Sequence, residues 1–530
     1  MWLIPWALAI CVVNPFREIA KDDDWAYALT VKRLLDSHEY RLHDWATANL
    51  PAQVLIGGAF SEVFGFSFTA LRLSTLTVLA VALAGLWRSL KSRGLTASDA
   101  GTLTMVVASS PLVFLFGLSF MTDAPFLAWT ALTLVTSIRA LETRGWKPMF
   151  LASVFAALAI LTRQFGVVLP AALSGALLVA RADGRLWLAG LALPAIAAGF
   201  QVWSGLHSPT AFMQVNLARE GVFLGDFAAL PGEALRRFSR IAQYVGLFSL
   251  PLFPVLAHLA TRRRTRTFGA WVVLVAALAI SDLATGGASM PSLNGNLSAA
   301  LSRLPLLRLP LTLAATFAAA LLGVLFTRDQ EDDRRSASPT SLRLGLTAFL
   351  LTLVHVAYVD LLDEYLIPFL PLVVLAVARE FGRAPRALKT ATASLSLASL
   401  ALSAVWTFAL FERKEAFWRA ADVLRQQGIP AERIYAGEWT YYHLGEGARD
   451  LREFSAARIA TSTHLVWDPL FAPYHVDENW ILLFEEFYRW PDFSRRAVGV
   501  YRRIDPPGDE ASRDRPEALG IVPPPNAQFP

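Results

Sequence analysis

Apolar runs about as long as a bilayer is thick recur through most of this chain, and no other feature restricts its fold so strongly. A helix needs about 20 mostly apolar residues to cross hydrocarbon. In that solvent only helices and closed barrels satisfy their own backbone. Runs near 1–16, 66–87, 100–118, 124–138, 148–162, 164–180, 187–204, 242–260, 268–284, 309–327, 344–360, 365–379 and 388–411 meet or approach that length, which makes about thirteen. Composition agrees: 55% of residues are hydrophobic and 17% charged, where a soluble domain carries roughly a quarter charged residues. The expected fold is an all-α polytopic membrane protein. The first run has no basic start and no small-residue cleavage site, so it reads as an anchor rather than a signal peptide. Its Cys11 is the chain's single cysteine, which excludes an intrachain disulfide framework.

The net charge of +5 is not a nucleic-acid signal, because the basic residues sit in short loops between apolar runs. One alternating set of loops holds Arg88, Lys91 and Arg93, then Arg139, Arg144 and Lys147, then Arg181 and Arg185. The set continues with Arg262, Arg263, Arg264 and Arg266, then Arg334 and Arg335, then Arg379, Arg383, Arg386 and Lys389. The positive-inside rule makes these loops cytoplasmic. A multi-pass protein of the plasma (inner) membrane follows, with the first loop (17–65), the turn at Thr122-Asp123, the segment 205–241 and everything after about 411 on the external side.

The domain organisation expected from this pattern is a transmembrane unit over 1–411, a small external α/β domain over 412–505 and a disordered tail over 506–530. Residues 415–427 read as a helix ended by Gly428 and Pro430, and 433–436, 464–467, 481–484 and 498–504 read as strands. The tail is rich in Pro, Gly and charge. Residues 328–342 read as a solvated linker.

Asp22-Asp23-Asp24-Trp25-Ala26-Tyr27 stands just past the first apolar run, and three adjacent carboxylates at a membrane exit are costly to hold together. A helix starting near Asp24 would put Tyr27, Val31, Leu34 and Leu35 on one face, with Lys32, Arg33, Asp36 and Glu39 turned away. That is the pattern of a helix lying on the membrane surface, anchored by Trp25, Tyr40 and Trp45. The bland account of one such Asp is a helix N-cap. Asp123 lies between two apolar runs, where an ionisable group is a functional candidate or a cap ahead of Pro125. Arg163, at the meeting of two short runs, suits bidentate phosphate binding or snorkelling to the interface. His38, Glu39, His43 and Asp44 lack a recognised metal spacing, so no metal is assigned. His443, within Trp439-Thr440-Tyr441-Tyr442-His443, suits sugar stacking or the packing of a small domain. No Walker, Rossmann or nucleophile-elbow pattern stands in a supporting context, which argues against a soluble nucleotide.

Asp23-Asp24-Trp25-Ala26-Tyr27-Ala28 resembles the acidic pair plus tyrosine of the GT-C superfamily, of the glycosyltransferase family 39 type. That group includes protein O-mannosyltransferases and lipid A aminoarabinose transferases. Met121-Thr122-Asp123-Ala124-Pro125-Phe126, Leu161-Thr162-Arg163-Gln164 and Glu364-Tyr365-Leu366-Ile367-Pro368 are similar to further landmarks of the family, in the same order. The resemblance covers roughly residues 10 to 410. It implies an enzyme that takes a polyprenyl-phosphate-linked sugar from the bilayer and transfers it to an acceptor at the external face. In that role Asp23 matches the general base, and Asp24 stands where the family more often has Glu, orienting the acceptor or sharing a proton. Arg163 matches a ligand of the donor phosphate, with Gln164 assisting. Asp123 would hold an acceptor or an arginine such as Arg72, and Tyr27 belongs to the acidic motif. Asp22 reads as helix-start punctuation. One departure is Asp363-Glu364, where the family commonly has Arg before the Tyr-Leu-Ile-Pro motif. The implied partners are the lipid-linked sugar, an unidentified acceptor and membrane lipids, with no cofactor. Two rivals stand beside this reading: a transporter or flippase of lipid-linked sugars, which needs ionisable groups near mid-span, and an inactive lipid-binding scaffold.

Overall fold

A computed structural model describes residues 3–46, 49–211, 213–214, 230–262, 305–328, 339–357, 361–444, 459, 462–468, 480–489 and 495–504. The expected run near 268–284 and the tail 506–530 lie outside them. The described chain is mostly helical. It begins with α1 (Leu3–Val13), a helix α2 (Asp24–Ser37) in the first loop, and α3 (Pro51–Phe64). Then come α4 (Phe68–Ser92), α5 (Ala97–Ala108), α6 (Pro111–Gly117), α7 (Asp123–Thr143), α8 (Trp146–Ile160), α9 (Val168–Val179) and α10 (Gly184–His207). Further on lie α11 (Leu230–Phe248), α12 (Phe253–Arg262), α13 (Pro305–Arg328), α14 (Pro339–Ala357), α15 (Phe369–Arg383) and α16 (Arg386–Gln426).

Local chemistry starts these helices where the sequence says it should. The side chains of Ser67, Thr96 and Asp183 accept from the backbone N–H three residues on, opening α4, α5 and α10, as N-caps do. Pro111 sits at the first position of α6, where its missing N–H costs nothing. The break before it bends α5 against α6 by 75°. The Ser109 carbonyl at that break is satisfied by Ser399 and Ser403 hydroxyls from α16, at 2.8 and 2.9 Å, as a backbone group inside a membrane bundle must be. Within the bundle α7 packs on α4 and α8, α8 on α10, α9 on α14, and α11 on α13.

Among the described residues five helices are long and apolar enough to cross a membrane, and two bent pairs raise that to seven. The difference from about thirteen has identifiable causes. Among the described residues five further apolar helices are only 10–17 residues long, those of the runs near 148–162 and 164–180 being separated at Arg163, and the run near 268–284 lies outside the described residues.

The helix expected over 415–427 is not separate, because α16 runs unbroken for 41 residues. No helix breaker interrupts it before Gly428, whose φ of 87° ends it. Beyond it a four-stranded sheet has the order β1-β2-β4-β3, with β1 (Ile434–Tyr435), β2 (His464–Trp467), β3 (Trp480–Arg489) and β4 (Arg495–Arg503). The β1–β2 pair is parallel, the others antiparallel, and a bulge falls between Leu482 and Phe484. A short helix α17 (Glu438–Leu444) follows β1. It is held to α16 by the Trp439 indole donating to Asp422 at 2.8 Å and by a Lys414–Glu438 ion pair.

Candidate functional site

The acidic run lies in a segment clamped from below by one arginine. Arg72, fully buried in α4, donates to the backbone carbonyls of Pro15 at 3.3 Å, Arg17 and Ile19. A guanidinium has five donors and no acceptor, so it can collect several carbonyls of an irregular stretch that makes no helical bonds. Arg72 therefore holds the chain that leads into the acids, and its side chain is committed to that backbone. The partner of Asp123 is not Arg72 but Arg163.

The three acids face three different neighbours. Asp22 adopts φ 53°, a left-handed conformation that Asp tolerates better than most side chains, and pairs with the buried Lys21 ammonium. Asp23 takes the N-cap position of α2 without capping it. Its carboxylate is half-buried and accepts the Trp45 indole N–H at 2.9 Å. Burial lifts the Asp23 carboxyl to about 6, the Trp45 bond opposes the rise, and the neighbouring Asp22 and Glu438 charges add to it. Asp24 is fully buried, with one oxygen accepting from the Lys21 N–H at 2.6 Å and the other from the Phe120 N–H at 3.3 Å. Burial raises it to about 7 against the pull of Arg72 and of those two N–H groups.

The bond from Phe120 to Asp24 is what joins the first loop to the second candidate region. Close approach there depends on Gly57 of α3: a Cβ at that position would lie 2.5 Å from the Phe120 ring. Three residues beyond Phe120, Asp123 opens α7 and its Oδ1 lies 2.9 Å from Arg163 Nη2. Arg163 Nε donates to Thr122 Oγ1 at 2.7 Å, and the guanidinium lies over the Tyr365 ring, 4.5 Å from its centre. Both charges of this pair are buried. The buried Tyr27 of α2 lies close enough to feel the Arg163 charge. Gln164 is exposed and stands outside the cluster.

Two acids and one imidazole that sequence reasoning left outside the site belong to this region. Asp363 and Glu364 are buried in the short 3-10 turn ahead of α15 and are electrostatic neighbours of Asp123, as is Asp22. His355 of α14 is fully buried, 2.6 Å from the Leu351 carbonyl through Nδ1, with its ring against Phe165 at 5.2 Å and Tyr365 at 6.3 Å between centroids. The sequence does signal the acids, as the Asp363-Glu364 departure from the family pattern. His355 carried none, since a lone histidine late in an apolar run has no spacing to mark it.

Trp45, the hydrogen-bond partner of Asp23, belongs to a cluster of four aromatic rings. Trp25 packs on Trp45 at 5.9 Å and edge-on to His43 at 5.0 Å. Tyr441 of α17 stacks on Trp45 with the planes 12° apart and lies 5.5 Å from Trp25. The sheet-bearing region thus touches the acidic loop through one helix. His43 is engaged in that loop, its Nδ1 accepting from the Trp45 N–H at 3.2 Å. Among the described residues no group of three or more His, Cys, Asp or Glu is placed to hold a metal ion. The His443 ring packs against Trp439, with centroids 4.2 Å apart and planes tilted by 30°.

Chemically, the arrangement offers one half-buried carboxylate able to take a proton near neutrality and, paired with Asp123, one buried guanidinium with an excess of acids around it.

Residues 51–204 match the sequence model of the family described as dolichyl-phosphate-mannose-protein mannosyltransferase. The match includes Asp123 and Arg163 and stops short of the acidic run on its N-terminal side. No curated protein sequence matches the chain. Among solved structures, the chain is similar to ArnT from Cupriavidus metallidurans bound to undecaprenyl phosphate, at 15% identity and TM-score 0.43, covering 96% of this chain and 97% of that one. It is also similar to the oligosaccharyltransferase AglB from Archaeoglobus fulgidus in complex with an inhibitory peptide and a dolichol-phosphate, at 12% identity and TM-score 0.43, covering 94% and 73%. A third is the arabinosyltransferase EmbB from Mycobacterium smegmatis, at 13% identity and TM-score 0.35, covering 91% and 44%. Over residues 51–204 the chain is similar to the dolichyl-phosphate-mannose-protein mannosyltransferases.

Proposed function

We propose that this protein transfers a sugar from a polyprenyl-phosphate donor to an acceptor, at the external end of the helical bundle, with Asp23 as general base. The observation that carries the reading is the Asp24–Phe120 bond. It brings the acidic run, which lies outside the matched segment, against the turn that carries Asp123 and leads to Arg163, which lie inside it.

In this reading an acceptor hydroxyl or amine approaches Asp23, which takes its proton as the nucleophile attacks the anomeric carbon. A carboxyl near 6 is mostly ionised at neutral pH yet basic enough to accept a proton, the compromise that general-base catalysis favours. Asp24 has both oxygens engaged by backbone N–H groups and serves to fix Asp23 rather than to react. The leaving lipid phosphate gains negative charge as the glycosidic bond breaks, and Arg163 is the cation suited to stabilise it. Because Asp123 already holds one edge of that guanidinium, the donor phosphate shares Arg163 with a carboxylate. Arg72 holds the backbone of the loop and acts through position alone. The sheet with α17 forms a small external α/β domain capping the acidic loop.

A translocation path for lipid-linked sugars would need ionisable groups near mid-depth in two corresponding halves, whereas the acids and Arg163 of this site stand at helix ends. Purified full-length protein should therefore be tested in vesicles against a panel of labelled polyprenyl-phosphate sugars. Formation of a glycosylated product supports transfer. Crossing of the lipid-linked sugars without product would overturn it in favour of transport.

A further inference from the structure

At the opposite end of α4 from the acidic loop, a cavity of about 590 Å³ opens between the α4–α5 turn and the C-terminal end of α15. Since α4 has 25 residues, the two ends lie about 38 Å apart at 1.5 Å per residue. That is more than the roughly 30 Å of a hydrocarbon core, so the cavity sits at the headgroup level of the far face. Trp87, half-buried one turn before the end of α4, marks the same level, its indole donating to the Ala97 carbonyl at 3.3 Å. Tryptophan favours that depth.

The lining is charged in one sense. Arg93, Arg379, Arg383 and Lys389 face a single lining acid, Asp99, which Lys389 engages at 2.8 Å. Arg93 reaches Glu142 at 3.3 Å outside the cavity, and burial holds its guanidinium below its ordinary value despite that partner. Arg379 and Arg383 have no ion pair or hydrogen bond among the described residues. Basic loops on this face need no explanation beyond the positive-inside rule. What this cavity adds is concavity: Arg379 and Arg383, exposed and one turn apart on α15, both line it, and each guanidinium is a bidentate donor for a phosphate.

We propose that this cavity binds the phosphate of an anionic phospholipid from the adjoining leaflet, with Arg379 and Arg383 as its ligands. A free phosphate would offer the same oxygens. The interfacial depth and the flanking Trp87 favour the lipid. The inference is independent of the transfer reaction.

The test uses delipidated full-length protein in detergent, and measures by native mass spectrometry its retention of phosphatidylglycerol, with phosphatidylcholine and inorganic phosphate as comparison probes. Phosphatidylglycerol should be retained about tenfold better than phosphatidylcholine, and Arg379→Gln with Arg383→Gln should remove that preference. Arg386→Gln, at the start of α16 and outside the cavity lining, should leave it intact. Rising salt should weaken the preference in native protein, a readout that survives even if the double variant folds poorly. Equal retention of the two lipids, or unchanged preference in the double variant, overturns the proposal. Displacement of phosphatidylglycerol by inorganic phosphate at matched concentration overturns the lipid assignment.

Discussion

At the scale of single residues, Asp23 and Asp24 are chemically alike and have opposite fates. Asp24 spends both oxygens on backbone N–H groups, while Asp23 has the Trp45 indole as its polar side-chain partner. The Trp45 bond stabilises the ionised form and lowers the Asp23 pKa. If Asp23 is the base, activity should rise with pH through about 6 and level off above it. Trp45→Phe should move that rising limb to higher pH, which a pH–rate profile of the two proteins will read. An unmoved limb would separate Asp23 from the titration.

Asp24 makes a different prediction, about stability. Its folded value of about 7 exceeds the ordinary 3.8, so the native state holds a proton that the unfolded chain has already released. That stabilisation is fully present below about 4 and is lost as pH rises through about 7. The thermal midpoint should fall across that window, and Asp24→Asn should flatten the fall. Arg163 belongs to the same scale. Arg163→Ala strands the buried Asp123 carboxylate and should cost about 3–5 kcal/mol. Adding Asp123→Ala should recover most of the loss in a double-mutant cycle.

At the scale of elements, the fold turns on a few breaks. The 75° bend between α5 and α6 is tolerated because Ser399 and Ser403 of α16 cover the Ser109 carbonyl. Replacing both serines by Ala should destabilise the protein by about 1–2 kcal/mol, in line with interhelical hydrogen bonds in membranes, as measured by unfolding in mixed micelles. Helix α17 is the other element with a consequence. Trp439 and Glu438 fix it to α16, while Tyr441 stacks on Trp45. Tyr441→Ala should loosen Trp45 and shift the pH limb in the same direction as Trp45→Phe, with little change in the thermal midpoint.

At the scale of the whole molecule, what was legible in the sequence is what depends on local pattern. Apolar periodicity marked most helices, and the α2 face of Tyr27 and Val31 is buried, with Lys32 and Asp36 paired outside at 2.7 Å. Alternation and punctuation placed the strands within a few residues. The pairings were not legible, because nothing in a linear pattern tells Arg72 to serve three carbonyls or Asp123 to meet Arg163. Asp22, which reads from the sequence as helix-start punctuation, has a left-handed backbone and lies in electrostatic reach of Asp123. Composition changes near 411, but the α16 backbone continues unbroken through that point to Gln426.

The acids can be ranked directly. Transfer from labelled polyprenyl-phosphate sugar should be compared in native protein, Asp23→Asn and Asp22→Asn, each checked for its thermal midpoint. Loss of about 10²- to 10⁴-fold in Asp23→Asn, with Asp22→Asn much less affected, is the result expected of a general base at Asp23. Native turnover in a folded Asp23→Asn protein would contradict it.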